Sequence, residues 1–135
     1  MKILLDTHIL IWLHLNDKRL SEKARQIILD LHNKVFYSSV NIWEAQIKHL
    51  KHPKDFQFSG EALDILSAQA NLTCLYVKPA HCIALKTLSF PVSAPVPHND
   101  PFDRILICQA KVENMLLLTH DDSISYYNES CILKV

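Results

Sequence analysis

The sequence predicts an α/β fold, a three-layer α/β/α sandwich around a mainly parallel sheet of about five strands. Three observations carry this expectation. Short apolar runs alternate nearly throughout with longer stretches of helical periodicity, the pattern of successive βαβ units. The chain has 135 residues, 49% apolar and 21% charged, which is the composition of one packed domain over residues 1–135. The one obvious loop, Ser89–Asn99 with Pro91, Pro95 and Pro97, separates elements and not domains, because apolar periodicity resumes at once.

Each element has a local reason. Lys2–Leu5 reads as a short buried strand ending at Asp6. Thr7–Leu15 is helical, with Ile9, Trp12 and Leu13 at amphipathic spacing. Ser21 caps a helix running to Leu31, with Ala24, Ile27, Ile28 and Leu31 on one face. Val35–Tyr37 is the second strand. Ser38 or Ser39 then caps a helix carrying Trp43, Ile47 and Leu50, which Pro53 stops. Ser59 opens a helix with Ala62, Leu63, Leu66 and Ala70 inward, and Asn71 ends it. Thr73–Val77 is β-branched and aromatic enough for a third strand. A short helix, Ala80–Leu88, precedes the loop. Asp100-Pro101-Phe102-Asp103 is a strong helix start: Asp100 suits the cap, Pro101 the first helical position, and Asp103 the first turn of a helix running to Glu113. Met115–Leu118 is a buried strand, Asp121 and Asp122 begin a turn, Ser123–Tyr127 is short and helical, and Cys131–Val135 is the last strand.

Composition excludes several functions. The only glycine is Gly60, so neither a P-loop nor a dinucleotide fingerprint can be written. Fourteen basic residues balance fourteen acidic ones, so a generic polyanion binder is not expected, and any nucleic-acid contact is local or bridged by a cation. Cys74, Cys82, Cys108 and Cys131 show no CxxC spacing and read as reduced core residues. Asp6 interrupts the first apolar run and no stretch is long enough to span a bilayer, so a soluble, cytoplasmic protein without a membrane partner is expected. The stretch Lys48–Lys54 has the make-up of a solvated helix end.

The acids are not scattered evenly. Asp6, Glu44, Asp100, Asp103 and Asp121 each stand at a strand-to-helix junction or the start of a helix. Singly, each has a bland explanation: a cap for Asp6 or Asp100, a favourable dipole for Asp103, a solvated helix residue for Glu44, a turn former for Asp121 or Asp122. Together they suggest more, because such junctions in a parallel sheet share one edge, where ligands bind. Two carboxylates about 4 Å apart repel by about 4 kcal/mol at an effective dielectric of about 20, so several must protonate or recruit a cation. An all-oxygen set suits Mg²⁺ or Mn²⁺, which can hold a phosphodiester and activate a water.

At these residues the chain resembles the PIN-domain ribonucleases, specifically the VapC-type toxins of bacterial toxin–antitoxin pairs, over nearly its whole length. Leu5-Asp6-Thr7-His8, Ser38-Ser39-Val40-Asn41-Ile42-Trp43-Glu44, His98-Asn99-Asp100-Pro101-Phe102-Asp103-Arg104 and Leu117-Leu118-Thr119-His120-Asp121 are similar to the four motifs of that family, in order, with Ile124 and Tyr127 following. The resemblance implies a metal-dependent endoribonuclease that hydrolyses RNA, with Asp6, Glu44, Asp103 and Asp121 around Mg²⁺ or Mn²⁺. It casts Thr7, Ser39 and Thr119 in auxiliary roles and leaves Asp100 as a cap or outer member. Asp122 adds a charge beside Asp121, and either could face the site. Arg104, Lys48, His49, Lys51 and His52 are candidate RNA-facing cations. The resemblance further implies a homodimer silenced by an antitoxin protein, with Trp12 and Trp43 contributing to the antitoxin groove or the dimer. The competing readings are an aspartyl phosphatase, which lacks the usual second acid because His8 stands there, and a phospho-accepting receiver or silent regulatory subunit, for which Lys78-Pro79 is the hint. Covalent label on Asp6 from a phosphoryl donor would favour either over a nuclease.

Overall fold

The computed structural model describes residues 1–91, 93–94 and 98–135. Five strands, β1 (Lys2–Leu5), β2 (Lys34–Ser38), β3 (Thr73–Leu75), β4 (Leu116–Thr119) and β5 (Ile132–Lys134), form one sheet in the order β3-β2-β1-β4-β5. Every pairing is parallel, so the sheet is fully and not just mainly parallel. The helices are α1 (Thr7–Leu15), α2 (Glu22–Leu29), α3 (Ser39–Lys51), α4 (Gly60–Gln69), α5 (Pro79–Ile83), α6 (Pro101–Val112) and α7 (Asp122–Ser125), with a 3-10 turn at Ala84–Thr87.

Strand alternation builds the layers. Ile3, Leu5, Val35, Tyr37 and Leu118 turn toward one apolar cluster, which holds Ile9, Leu10 and Trp12 of α1, Ala24 and Ile28 of α2, and Leu63 of α4. Leu4, Phe36, Leu75 and Leu117 turn toward the other, with Leu106, Ile107 and Ala110 of α6 and Ile124 of α7. The order also creates a switch point. The chain winds from β1 through β2 to β3 on one side, then crosses to β4 and β5 on the other. The crevice beyond the carboxyl ends of β1 and β4 is therefore where a parallel α/β sheet holds its ligand.

With so little glycine, helices end on asparagine. Asn16, Asn71 and Asn114 take the left-handed conformation (φ 51°, 61° and 53°) just past α1, α4 and α6. Asn71 is thus the stop the sequence indicates. Gly60 has a different use: a Cβ there would sit 2.9 Å from the Ile42 carbonyl oxygen and 3.0 Å from Gln46 Cβ, so its lack of a side chain lets α4 start directly against α3.

Some expectations need correction. The second helix stops at Leu29 and does not reach Leu31, because Asp30 adopts extended backbone and its Oδ1 accepts from the His32 N–H at 2.9 Å, closing a local turn. Leu31 is consequently 98% exposed and not on the inward face. Ala70 is also exposed, and Ser67 takes the inward place, its hydroxyl donating to the Leu63 carbonyl at 2.7 Å. The third strand ends at Leu75 and not Val77, since Val77 N–H leaves the ladder to meet Ser39 Oγ at 3.3 Å. The span Ala80–Leu88 divides into α5 and the 3-10 turn, and the helix expected at Ser123–Tyr127 starts at Asp122 and ends at Ser125. All four cysteines are free, but Cys82 is exposed and not in the core. Of the expected loop, Pro95 and Pro97 lie outside the described residues. Among the described residues, no helix is long and apolar enough to cross a membrane.

Candidate active site

Asp6 follows β1 directly. It caps α1, with Oδ1 accepting from the Ile9 N–H at 3.0 Å. The capping explanation is therefore correct for one oxygen. The other accepts from the hydroxyl of Thr119 at the end of β4, across the switch point. Burial pushes the Asp6 carboxyl above its ordinary range despite these two donors, and the Glu44 charge pushes the same way.

Glu44 reaches the site from α3. That helix starts at the crevice because Ser38 is its cap: the Ser38 hydroxyl accepts from Val40 N–H at 3.0 Å, and Asn41 returns the contact by accepting from Ser38 N–H at 2.6 Å. Asn41 also donates to Thr7 Oγ1 at 3.0 Å, and Thr7 donates to Glu44 Oε1 at 2.6 Å. The second Glu44 oxygen takes the ammonium of Lys48, one helical turn on. Thr7 and Thr119 thus play matching parts, each holding one buried carboxylate. Ser39 holds Val77 and no acid; its neighbour Ser38 points inward, donating to Gln109 Oε1 at 2.6 Å.

The two acids of α6 separate clearly. Asp100 is the cap, its Oδ1 accepting from Phe102 N–H at 2.9 Å and Asp103 N–H at 3.3 Å. Asp103 lies deeper, with Oδ2 3.1 Å from His98 Nε2. Burial and then the charges of Asp100, Glu44, Asp6 and Asp121 push its carboxyl up to about 8. Those four charges come from four different parts of the chain and act at one point. Burial holds the facing His98 imidazole below its ordinary range, against the pull of Asp100 and Asp121.

Asp121 caps α7, Oδ1 accepting from Ser123 N–H at 2.7 Å, and its own N–H donates to Thr119 Oγ1 at 3.0 Å. Asp122 pairs instead with Lys134 at the exposed end of β5. Of these two, Asp121 is therefore the acid beside Thr119 and Asp6. A cleft of about 270 Å³ opens onto Asp6 and Asp121, walled by His8, Trp12, Arg19 and His120.

The candidate cations divide. Lys48 is committed to Glu44, and the His49 Nδ1–H donates to the Phe56 carbonyl at 2.7 Å. Lys48, Lys51 and His52 line an open pocket of about 410 Å³ with Phe56 and Phe102. Arg104 keeps a buried Nε that has no hydrogen-bond partner among the described residues. The tryptophans also divide: Trp12 is 8% exposed, whereas Trp43 is 59% exposed and packs edge-on against Phe102 at 5.0 Å. Lys78 pairs with Glu113 at 3.4 Å, which removes the support it lent to a receiver. Sequence reasoning assigned no role to Asn41, Gln109 or the His98 side chain. The Ser38-x-x-Asn41 spacing of a capping box was the available signal for Asn41.

By donor type the acids suit a hard divalent cation. As they stand, no three His, Cys, Asp or Glu side chains among the described residues are grouped closely enough to hold a metal ion. The fit lies in the chemistry of the set: buried carboxylates that raise one another's proton affinity are the groups a cation relieves.

No curated protein sequence matches this one significantly. Among solved structures, the chain is similar to one in VapBC2 from Rickettsia felis bound to a promoter DNA fragment, with a TM-score of 0.71 and 17% identity over 100% of this chain and 99% of that one. It is also similar to one in VapBC-1 from nontypeable Haemophilus influenzae, with a TM-score of 0.58 and 19% identity over 93% and 92% of the two chains. At those identities the likeness is one of fold. The PIN domain family profile matches residues 3–129, which takes in all four acidic junctions, and the chain belongs to the PIN domain family.

Proposed function

We propose that this protein is a metal-dependent endoribonuclease that hydrolyses RNA phosphodiester bonds and serves as the toxin of a VapC-type toxin–antitoxin pair in the cytoplasm. The observation that carries the reading is Asp103, pushed up to about 8 by burial and by the charges of Asp100, Glu44, Asp6 and Asp121. A fold gains no stability from crowding carboxylates in this way, whereas a phosphodiesterase needs them. Bound Mg²⁺ or Mn²⁺ would supply charge neutralisation and a more acidic water. Asp6, Glu44 and Asp103 would hold the ion, with Asp121 completing the set directly or through water. Thr119 and Thr7 hold Asp6 and Glu44 in place. Lys51, His52 and Arg104 are the cations left to meet RNA phosphates. The VapBC complexes similar in fold support an antitoxin partner for this chain, and the resemblance of its four motifs implies a homodimer as well.

Incubation of the purified, antitoxin-free chain with total bacterial RNA tests the proposal. Discrete cuts are expected with Mg²⁺ or Mn²⁺, none with chelator, and none from Asp6→Asn or Asp103→Asn. A folded wild-type protein that cuts with no metal tested would refute it, as would cutting that survives in Asp6→Asn.

A further inference from the structure

A short polar chain runs into the acid cluster from behind. Tyr127, just past α7, is buried, with Phe90 edge-on against its ring at 4.8 Å. Its hydroxyl lies 2.9 Å from His98 Nδ1 and 3.3 Å from the His98 carbonyl oxygen, and the two rings meet edge to face at 5.3 Å. The His98 side chain is 7% exposed, and its Nε2 lies 3.1 Å from Asp103 Oδ2.

Counting hydrogens fixes the direction of this chain. A carboxylate that holds a cation is ionised and has no proton to give, so in that state Nε2–H donates to Asp103. A neutral imidazole then has only a lone pair at Nδ1, so the Tyr127 hydroxyl donates to it. One tautomer satisfies both contacts, and the shorter tyrosine contact is the one it uses. Asp103 Oδ1 has no side-chain donor among the described residues.

We propose that His98, oriented by Tyr127, is a positioning residue for Asp103: its Nε2–H holds Oδ2 and so presents Oδ1 to the cation. The inference rests on the reading of Asp103 as a cation-holding acid. Groups that orient a ligating carboxylate in this way change metal affinity by about 10–100-fold when removed. Tyr127 and His98 lie 29 residues apart, so the device exists only in the fold.

The test is a Mn²⁺ titration of the full chain followed by electron paramagnetic resonance, with long-range ¹H–¹⁵N NMR of the imidazoles and a melting curve for each variant. His98→Ala and Tyr127→Phe are expected to weaken Mn²⁺ binding about tenfold or more. His98→Gln, which keeps an N–H near Nε2, is expected to recover most of it. With Mg²⁺ bound, wild-type His98 should show the Nε2–H tautomer, with its Nδ1 resonance moved in Tyr127→Phe, a change that keeps the ring and its packing. If Asp103→Asn abolishes Mn²⁺ binding while folded His98→Ala and Tyr127→Phe stay within twofold of wild type, the positioning role is overturned. So it is if His98 shows the Nδ1–H tautomer with Mg²⁺ bound. If wild type binds no Mn²⁺, or Asp103→Asn binds it equally well, the reading of Asp103 itself fails and the inference falls with it.

Discussion

Two aspartates in this molecule live under opposite rules. Asp17, in the turn after α1, receives Arg19 on both oxygens: the backbone N–H at 2.8 Å and Nε at 3.1 Å on Oδ1, and Nη2 at 2.8 Å on Oδ2. The Arg19 side chain first, and then its backbone N–H, hold the Asp17 carboxyl down at about 2. Asp103 is buried among like charges and sits at about 8. The first carboxylate is satisfied by a residue two places away. The second is disfavoured by burial and by four acids, three of them from distant parts of the chain, and only a proton or an added cation relieves it. A local ion pair explains itself as structure. A convergent set of disfavoured acids at the switch point of a parallel sheet asks for a ligand.

The largest break in this contrast comes from neutralising Asp103. Asp103→Asn is expected to reduce RNA cleavage by about 100-fold or more, read as cleavage rate at saturating Mg²⁺. The same change should alter stability with the opposite sign. Because the folded-state value of Asp103 lies above its unfolded value, the folded protein binds the extra proton between about pH 4 and pH 8. Unfolding free energy without added cation therefore falls as pH rises through that window, by up to a few kcal/mol. Urea unfolding at pH 5 and pH 8 should show this slope in wild type and a flatter one in Asp103→Asn. An equal slope in both would remove Asp103 as its source.

A smaller effect is expected at Asn41. Replacing it with Ala leaves Ser38 N–H and Thr7 Oγ1 without their buried partner, which costs about 1–3 kcal/mol and loosens the hold on Glu44. Denaturant melts should show the loss, and cleavage should fall with it. A fully stable Asn41→Ala protein would mean that Thr7 and Lys48 hold Glu44 without help from Asn41.

The smallest effect belongs to Asp17. Its depressed value means that its contribution is complete above about pH 4 and is lost as pH falls toward about 2. Asp17→Asn should therefore lower stability evenly across pH 5–8, leaving that slope untouched, and flatten only the fall in stability on the acid side. A changed slope at neutral pH would erase the contrast between the two sites.

What the sequence made legible follows the same division. Asp6 and Asp121 could be located because each follows an apolar run that can only be a strand, and α6 starts at Pro101 because Asp100-Pro101 encodes a cap and a first turn locally. The ambiguity between Asp100 and Asp103 was not resolvable there, since both fit the start of a helix. It resolves in space, where Asp100 spends Oδ1 on the cap and Asp103 turns toward His98. Leu31 was misplaced because helical periodicity continues past Asp30, while an aspartate side chain closing on His32 overrides it. Trp12 and Trp43 look equivalent on paper, yet α1 packs against the sheet whereas the Trp43 side of α3 faces outward. Contacts that join distant segments, such as Asn41 to Thr7 and Tyr127 to His98, leave no periodic trace in one sequence.

The most direct measurement of the central claim is anomalous diffraction from crystals of the wild-type chain grown with Mn²⁺. The account predicts a peak at the crevice beyond β1 and β4, with oxygens of Asp6, Glu44 and Asp103 as ligands and Asp121 beside them, and no peak in matched Asp103→Asn crystals. A peak elsewhere on the molecule, or one that persists in the crevice without Asp103, would contradict it.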